Sequence, residues 1–192
     1  MAITEAQFQQ VANKSGIEVA TIKAVNEVEA AGNGFFQDGR PKILFEGHIF
    51  WKQLKKKGIN PESVQAGNEE VLYPVRDQKK YLKGVKEYDR LNKAIAIDEE
   101  AALSSASWGA FQIMGFNFKP AGFSNVKAFV DAMKKDEFEQ LKAFSNFITA
   151  LNLNVNLANH DWKGFAFSYN GKEYLKNKYD SKLKAAYEKF SH

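Results

Sequence analysis

A chain of 192 residues, 44% of them hydrophobic and sixteen of them phenylalanine, has the length and apolar content for one folded domain with a sizeable core. It contains no cysteine, which excludes a disulfide framework, a thiol nucleophile and thiolate metal ligation. The net charge of +4 favours a polyanionic partner: nucleic acid, an anionic membrane surface or bacterial cell wall.

Residues 1 to 25 hold no signal-peptide core, and no later stretch approaches the roughly 20 apolar residues that span a bilayer. The expectation is a protein made in a cytosol. Thr4 and Gln7, after Ile3, form a capping-box and staple pattern that opens a helix through about Asn13, and Ser15-Gly16 breaks it. A second helix runs from about Glu18 to Ala31. On it Val19, Ile22, Val25 and Glu29 share one face, so a carboxylate stands where another aliphatic residue is expected. Burial disfavours the charged form and raises such a pKa toward neutrality, which suits a general acid. Gly32 reads as the helix stop, placing Glu29 in the last turn, where the helix dipole also disfavours ionisation. On its own, the same acid also fits a solvated helix end.

Next come two apolar-rich segments around Asp38-Gly39, a hairpin signal because Gly supplies positive φ in the turn. Ile49 to Lys55 reads as a helix and Gly58 to Pro74 as a loop. Helical patterns follow over Lys80–Ala96, Glu99–Ala106, a segment from the candidate N-cap Ser124 to Met133, and Asp136–Leu151. Asn152–Asn159 reads as a loop and Asp161–Tyr169 as a helix. A final helix, Glu173–Phe190, carries a Leu175, Tyr179, Leu183, Ala186, Phe190 stripe and a lysine-rich opposite face. Neither an internal repeat nor a dividing linker is present, so the expectation is a single mostly helical α+β domain over 1–192 with a small β-hairpin after the Glu29 helix.

Arginine occurs only at Arg40, Arg76 and Arg90, and no zinc-finger spacing or ribonucleoprotein motif is present, so nucleic acid is not an expected partner. His48 and His160 lie far apart in sequence, so neither a metal site nor a cofactor is expected.

Three segments matter together: Val28-Glu29-Ala30-Ala31-Gly32, Ser107-Trp108-Gly109-Ala110-Phe111-Gln112-Ile113-Met114-Gly115, and Phe167-Ser168-Tyr169-Asn170-Gly171. Their order resembles the lysozyme-like superfamily, which includes goose-type lysozymes and soluble lytic transglycosylases. Longer strings, Asp38-Gly-Arg-Pro-Lys-Ile-Leu-Phe-Glu-Gly-His48, Glu87-Tyr-Asp-Arg-Leu91 and Ala101 to Asn117, are similar to the N-acetylmuramidase domain of phage endolysins over about Ile17 to Phe190.

That resemblance implies a lysozyme-like fold and a peptidoglycan hydrolase cutting the β-1,4 bond between N-acetylmuramic acid and N-acetylglucosamine, with Glu29 as general acid. Goose-type relatives often lack an obvious second carboxylate and lytic transglycosylases do without one; here Glu46, at the end of the hairpin's second strand, is the candidate if the hairpin folds back beside the Glu29 helix, to activate water, support charge or orient Glu29. Gln112, Tyr169 and Asn170 become substrate-binding candidates. Read singly, each has a plainer role: a glutamine satisfying backbone, a core tyrosine, a helix C-cap. Asp38 is assigned to its turn. The expected protein is a monomer that needs no cofactor, has no separate wall-binding module, and is made in the bacterial host cytoplasm without a signal peptide, acting on peptidoglycan after membrane permeabilisation. The basic C-terminal helix is an expected contact for the anionic outer membrane. A lytic transglycosylase forming 1,6-anhydro-muropeptides, a delivered antibacterial effector and a non-catalytic peptidoglycan-binding protein are the alternatives.

Overall fold

The computed structural model describes residues 2–30, 33–171 and 174–192. Helix α1 (Glu5–Ser15) opens on a reciprocal capping box, Thr4 Oγ1 accepting from the Gln7 N–H while Gln7 Oε1 accepts from the Thr4 N–H, and stops at Gly16 with φ of 70°. Helix α2 (Val19–Glu29) ends on the carboxylate of interest; Gly32, expected to stop it, lies outside the described residues. The Asp38-Gly39 turn forms, with Gly39 at φ of 81°, Arg40 bonded to both Asp38 carboxylate oxygens, and a bridge between Phe35 and Pro41.

Here the sheet departs from the expected hairpin. Strand β1 (Ile43–Phe45) finds its partner some sixty positions downstream rather than across the turn, in β2 (Ala106–Trp108), which pairs in turn with β3 (Ile113–Met114). Both pairings are antiparallel, in the order β1-β2-β3. A three-residue strand is too short to be stable in an isolated hairpin, and β2 sets the apolar Ala106 and Trp108 opposite Phe45 and Ile43.

Helix α3 (Gly47–Lys56) follows β1 directly. The Lys80–Ala96 pattern resolves into two 3-10 turns, Gln78–Lys80 and Gly84–Lys86, before helix α4 (Glu87–Ile95), because Lys83 and Gly84 both take positive φ. Helices α5 (Glu99–Ser104), α6 (Val126–Lys135) and α7 (Glu137–Ala150) come next. Asn125, rather than Ser124, caps α6 through the Ala128 N–H, and Asp136 caps α7 through the Glu139 N–H. The expected Asn-rich loop holds a short helix, α8 (Asn154–Ala158), before α9 (Trp162–Asn170). The C-terminal pattern is two helices, α10 (Tyr174–Asn177) and α11 (Tyr179–Phe190), broken at Lys178 with φ of 52°; its expected start at Glu173 is not among the described residues.

The chain forms two compact units. One comprises Met1–Gly34, Pro120–Gly122 and Asp136–His192. Its core joins Val11, Ile22, Val25, Leu141, Phe144, Ile148, Phe165 and Leu183, and within it α11 packs on α2 and α9. The other comprises Phe35–Lys119 and Phe123–Lys135, with Phe45, Phe50, Leu54, Leu91, Trp108, Phe129 and Met133 at its centre. This is a mostly helical α+β architecture with one small antiparallel sheet.

Candidate active site

In the first unit, Glu29 is the last residue of α2, half-buried beside the Ile22 and Val25 stripe. Desolvation raises its carboxyl pKa above the ordinary value, and one hydrogen bond opposes that shift: Asn170 Nδ2 donates to Glu29 Oε1 at 3.1 Å. Asn170 is the last residue of α9, so two helix ends meet at this carboxyl group.

The position of α9 follows from its cap. Asp161 accepts from the Gly164 N–H at 2.9 Å and from Asn156 Nδ2 at 2.8 Å. A Cβ on Gly164 would run into Asp161 Oδ2 and Asn156 Nδ2 and push the capping side chains aside. Towards the other end of the same helix, Tyr169 is packed among aromatic rings, stacked on Phe165 at 5.5 Å and edge-on to Phe144 at 5.4 Å. Its phenol pKa is pushed up by burial first and by the Glu29 charge second. Tyr179, at the start of α11, is raised in the same way. The structure therefore groups Glu29, Tyr169 and Asn170, and adds Tyr179, which the helical periodicity had assigned to a core stripe; no pattern in the sequence distinguishes it from its neighbours Leu175 and Leu183.

In the second unit, Glu46 ends β1 at the N-cap position of α3, yet its carboxylate does not cap the helix. It accepts instead from Tyr81 Oη at 3.1 Å, with Arg76 Nε at 3.9 Å and His48 Nδ1 at 3.8 Å as charged or polar neighbours beyond hydrogen-bond distance. Its side chain keeps 17% of its exposure. His48 has a lowered pKa, chiefly from desolvation against an opposing contribution from Glu46, so it is neutral at pH 7. Neither Tyr81 nor Arg76 stood out in the sequence: Tyr81 falls at the start of the Lys80–Ala96 helical pattern as one more aromatic residue, and Arg76 lies between the patterned segments.

Gln112 sits in the β2–β3 turn with φ of 48°. Its amide is committed locally: Oε1 accepts from Ser107 Oγ at 2.8 Å, and Nε2 donates to the carbonyls of Gly109 at 2.9 Å and Lys42 at 3.3 Å. These bonds hold a backbone conformation that a residue with a Cβ rarely adopts. Gln112 and Glu46 lie at opposite ends of β1 and do not meet. Among the described residues no three His, Asp or Glu side chains gather in a metal-holding group, and no helix is long and apolar enough to cross a membrane.

Residues 18–191 match the family model of N-acetylmuramidase, and the chain belongs to that family. It is thus a glycoside hydrolase acting on peptidoglycan, on a lysozyme-like α+β fold. Among solved structures it is similar to the Burkholderia AP3 phage endolysin, at 43% identity and a TM-score of 0.91, over 98% of this chain and 71% of that one. A comparison with curated proteins gave no match.

Proposed function

We propose that the chain is a phage endolysin that hydrolyses the β-1,4 bond between N-acetylmuramic acid and N-acetylglucosamine by general acid catalysis from Glu29. The observation that carries this reading is the environment of Glu29: a half-buried carboxyl with a raised pKa, oriented by Asn170 and beside two tyrosines. A raised pKa keeps the proton on the carboxyl to higher pH, from where it can pass to the glycosidic oxygen as the sugar ring becomes oxocarbenium-like. Asn170 fixes the carboxyl rotamer, and the Tyr169 ring walls the site. Glu46 is the second carboxylate in this reading, supporting positive charge on the sugar or activating water. Gln112 shapes the turn and offers the sugar acetamido group its remaining Oε1 lone pair. The family match runs across both units, which supports taking 1–192 as one catalytic domain.

Under this reading the protein accumulates in the infected cell and meets its substrate once the membrane is breached. The anionic wall attracts a chain of net charge +4. Contact with an anionic outer membrane would run through lysines such as Lys182 and Lys184, since Leu183 and Ala186 of α11 are already buried.

Mass spectrometry of digested peptidoglycan tests the reaction. Hydrolysis leaves reducing-end muramic acid; 1,6-anhydro-muropeptides would make the chain a lytic transglycosylase with the same acid. Glu29→Gln is expected to lower turnover by roughly 10²- to 10⁴-fold while wall binding persists. Lysis retained by that variant would overturn Glu29 as the general acid.

A further inference from the structure

A buried ion pair in the second unit closes a ring around Glu46. Glu87 is fully buried, and both of its oxygens are used. Oε1 accepts from the N–H groups of Leu82 at 2.7 Å and Lys83 at 2.9 Å; Oε2 accepts from the Phe45 N–H at 3.3 Å and from Arg90 Nη1 at 2.8 Å. Arg90 Nη1 also donates to the Phe45 carbonyl at 2.7 Å, so both backbone polar groups of the residue before Glu46 are held by the pair. Among the described residues β1 has no strand on that side, and the ion pair takes the place of one.

The same pair holds the residues around Tyr81. Leu82 and Lys83 follow it directly, and Lys83 is kept at φ of 62° and ψ of 157°, a conformation rarely taken by a residue with a Cβ, which persists where surrounding bonds over-determine it. The Arg90 guanidinium lies over the Phe45 ring at 5.2 Å and the Tyr81 ring at 5.6 Å. Backbone and ring of both segments are therefore fixed to one pair, and the ring closes through the hydrogen bond from Tyr81 Oη to Glu46 Oε2.

A purely structural pair would need only to satisfy the strand edge. What it does besides is hold a phenol against the one carboxylate that leaves β1 without capping α3. We propose that Tyr81 is a positioning residue for the reaction, fixing the rotamer of Glu46 through this hydrogen bond, with Glu87 and Arg90 as its frame. The proposal rests on the assignment of Glu46 as second carboxylate.

The test is a double-mutant cycle on soluble peptidoglycan fragments with Glu46→Gln, Tyr81→Phe and the double variant, reading kcat, KM and melting temperature. Tyr81→Phe removes one hydroxyl from a half-buried ring and is expected to fold. The expected result is a kcat about tenfold lower, the order of one charge-assisted hydrogen bond, with KM within about twofold and no further loss when the change is added to Glu46→Gln. Losses that multiply in the double variant, or an unchanged kcat in Tyr81→Phe where Glu46→Gln lowers it, would overturn the proposal while leaving Glu46 in the site. An unchanged kcat in Glu46→Gln would overturn the assignment of Glu46, and the proposal with it.

Discussion

Glu29 pairs a burial cost with a single compensating hydrogen bond, and both have signs that experiment can read. Its folded pKa lies above the value of 4.5 that it has without the fold, so between those two pH values the native state binds more protons than the unfolded chain. This contribution therefore lowers stability as pH rises through that window. Glu29→Gln removes the group that must lose the proton, so the variant is expected to melt higher than the parent at pH 7. The gap should close below pH 4.5; calorimetry over a pH series checks it, and a gap independent of pH would contradict the burial argument. Asn170 donates to the ionised form, so Asn170→Ala is expected to raise the Glu29 pKa further and to move the alkaline limb of the kcat/KM profile to higher pH. A limb that moves down would show that Asn170 does something else.

Helix α9 shows how a short cap at Asp161 places chemistry at its other end, at Tyr169 and Asn170. Asp161 accepts from the Gly164 N–H, and the absence of a Cβ on Gly164 is what lets the carboxylate approach. Asp161→Ala should lower stability by about 1 kcal/mol, the usual worth of an N-cap, measured by denaturant titration. Gly164→Ala should cost at least as much, because the new methyl group displaces the cap it would otherwise accompany. Both variants should also weaken turnover, since Tyr169 and Asn170 ride on the same helix. Unaltered activity together with the expected loss of stability would separate the cap from the site. Helix α11 illustrates the converse: its buried Leu183 and Ala186 belong to a helix packed on α2 and α9, which carry Glu29 and Asn170, while Lys182 and Lys184 stay exposed.

For the molecule as a whole, the excess of four positive charges is spread over a chain whose substrate is an anionic wall polymer. Binding of the inactive Glu29→Gln protein to isolated walls should weaken several-fold as salt rises from about 0.05 to 0.5 M, because the Debye length falls to a few ångströms. A salt-independent affinity in a pull-down series would assign recognition to uncharged sugar contacts instead.

Much of this protein was legible in the residue string where the cause is local. The Thr4 capping box, the Gly16 stop, the Asp38-Gly39 turn and the amphipathic faces of α2, α7 and α11 each depend on neighbours within a few positions, and the order of Glu29, Gln112, Tyr169 and Asn170 carried the family resemblance. What lay beyond it depends on long-range closure. β1 pairs with β2 rather than across its own turn, Gln112 uses its amide on its own turn, Tyr179 joins the surroundings of Glu29 from a stripe that reads as core, and Tyr81 reaches Glu46 across 35 positions from a segment that reads as helix. Periodicity reports which face of an element is apolar; which partner satisfies a strand edge or a buried carboxylate is set by whichever distant group completes the hydrogen bonds at least desolvation cost.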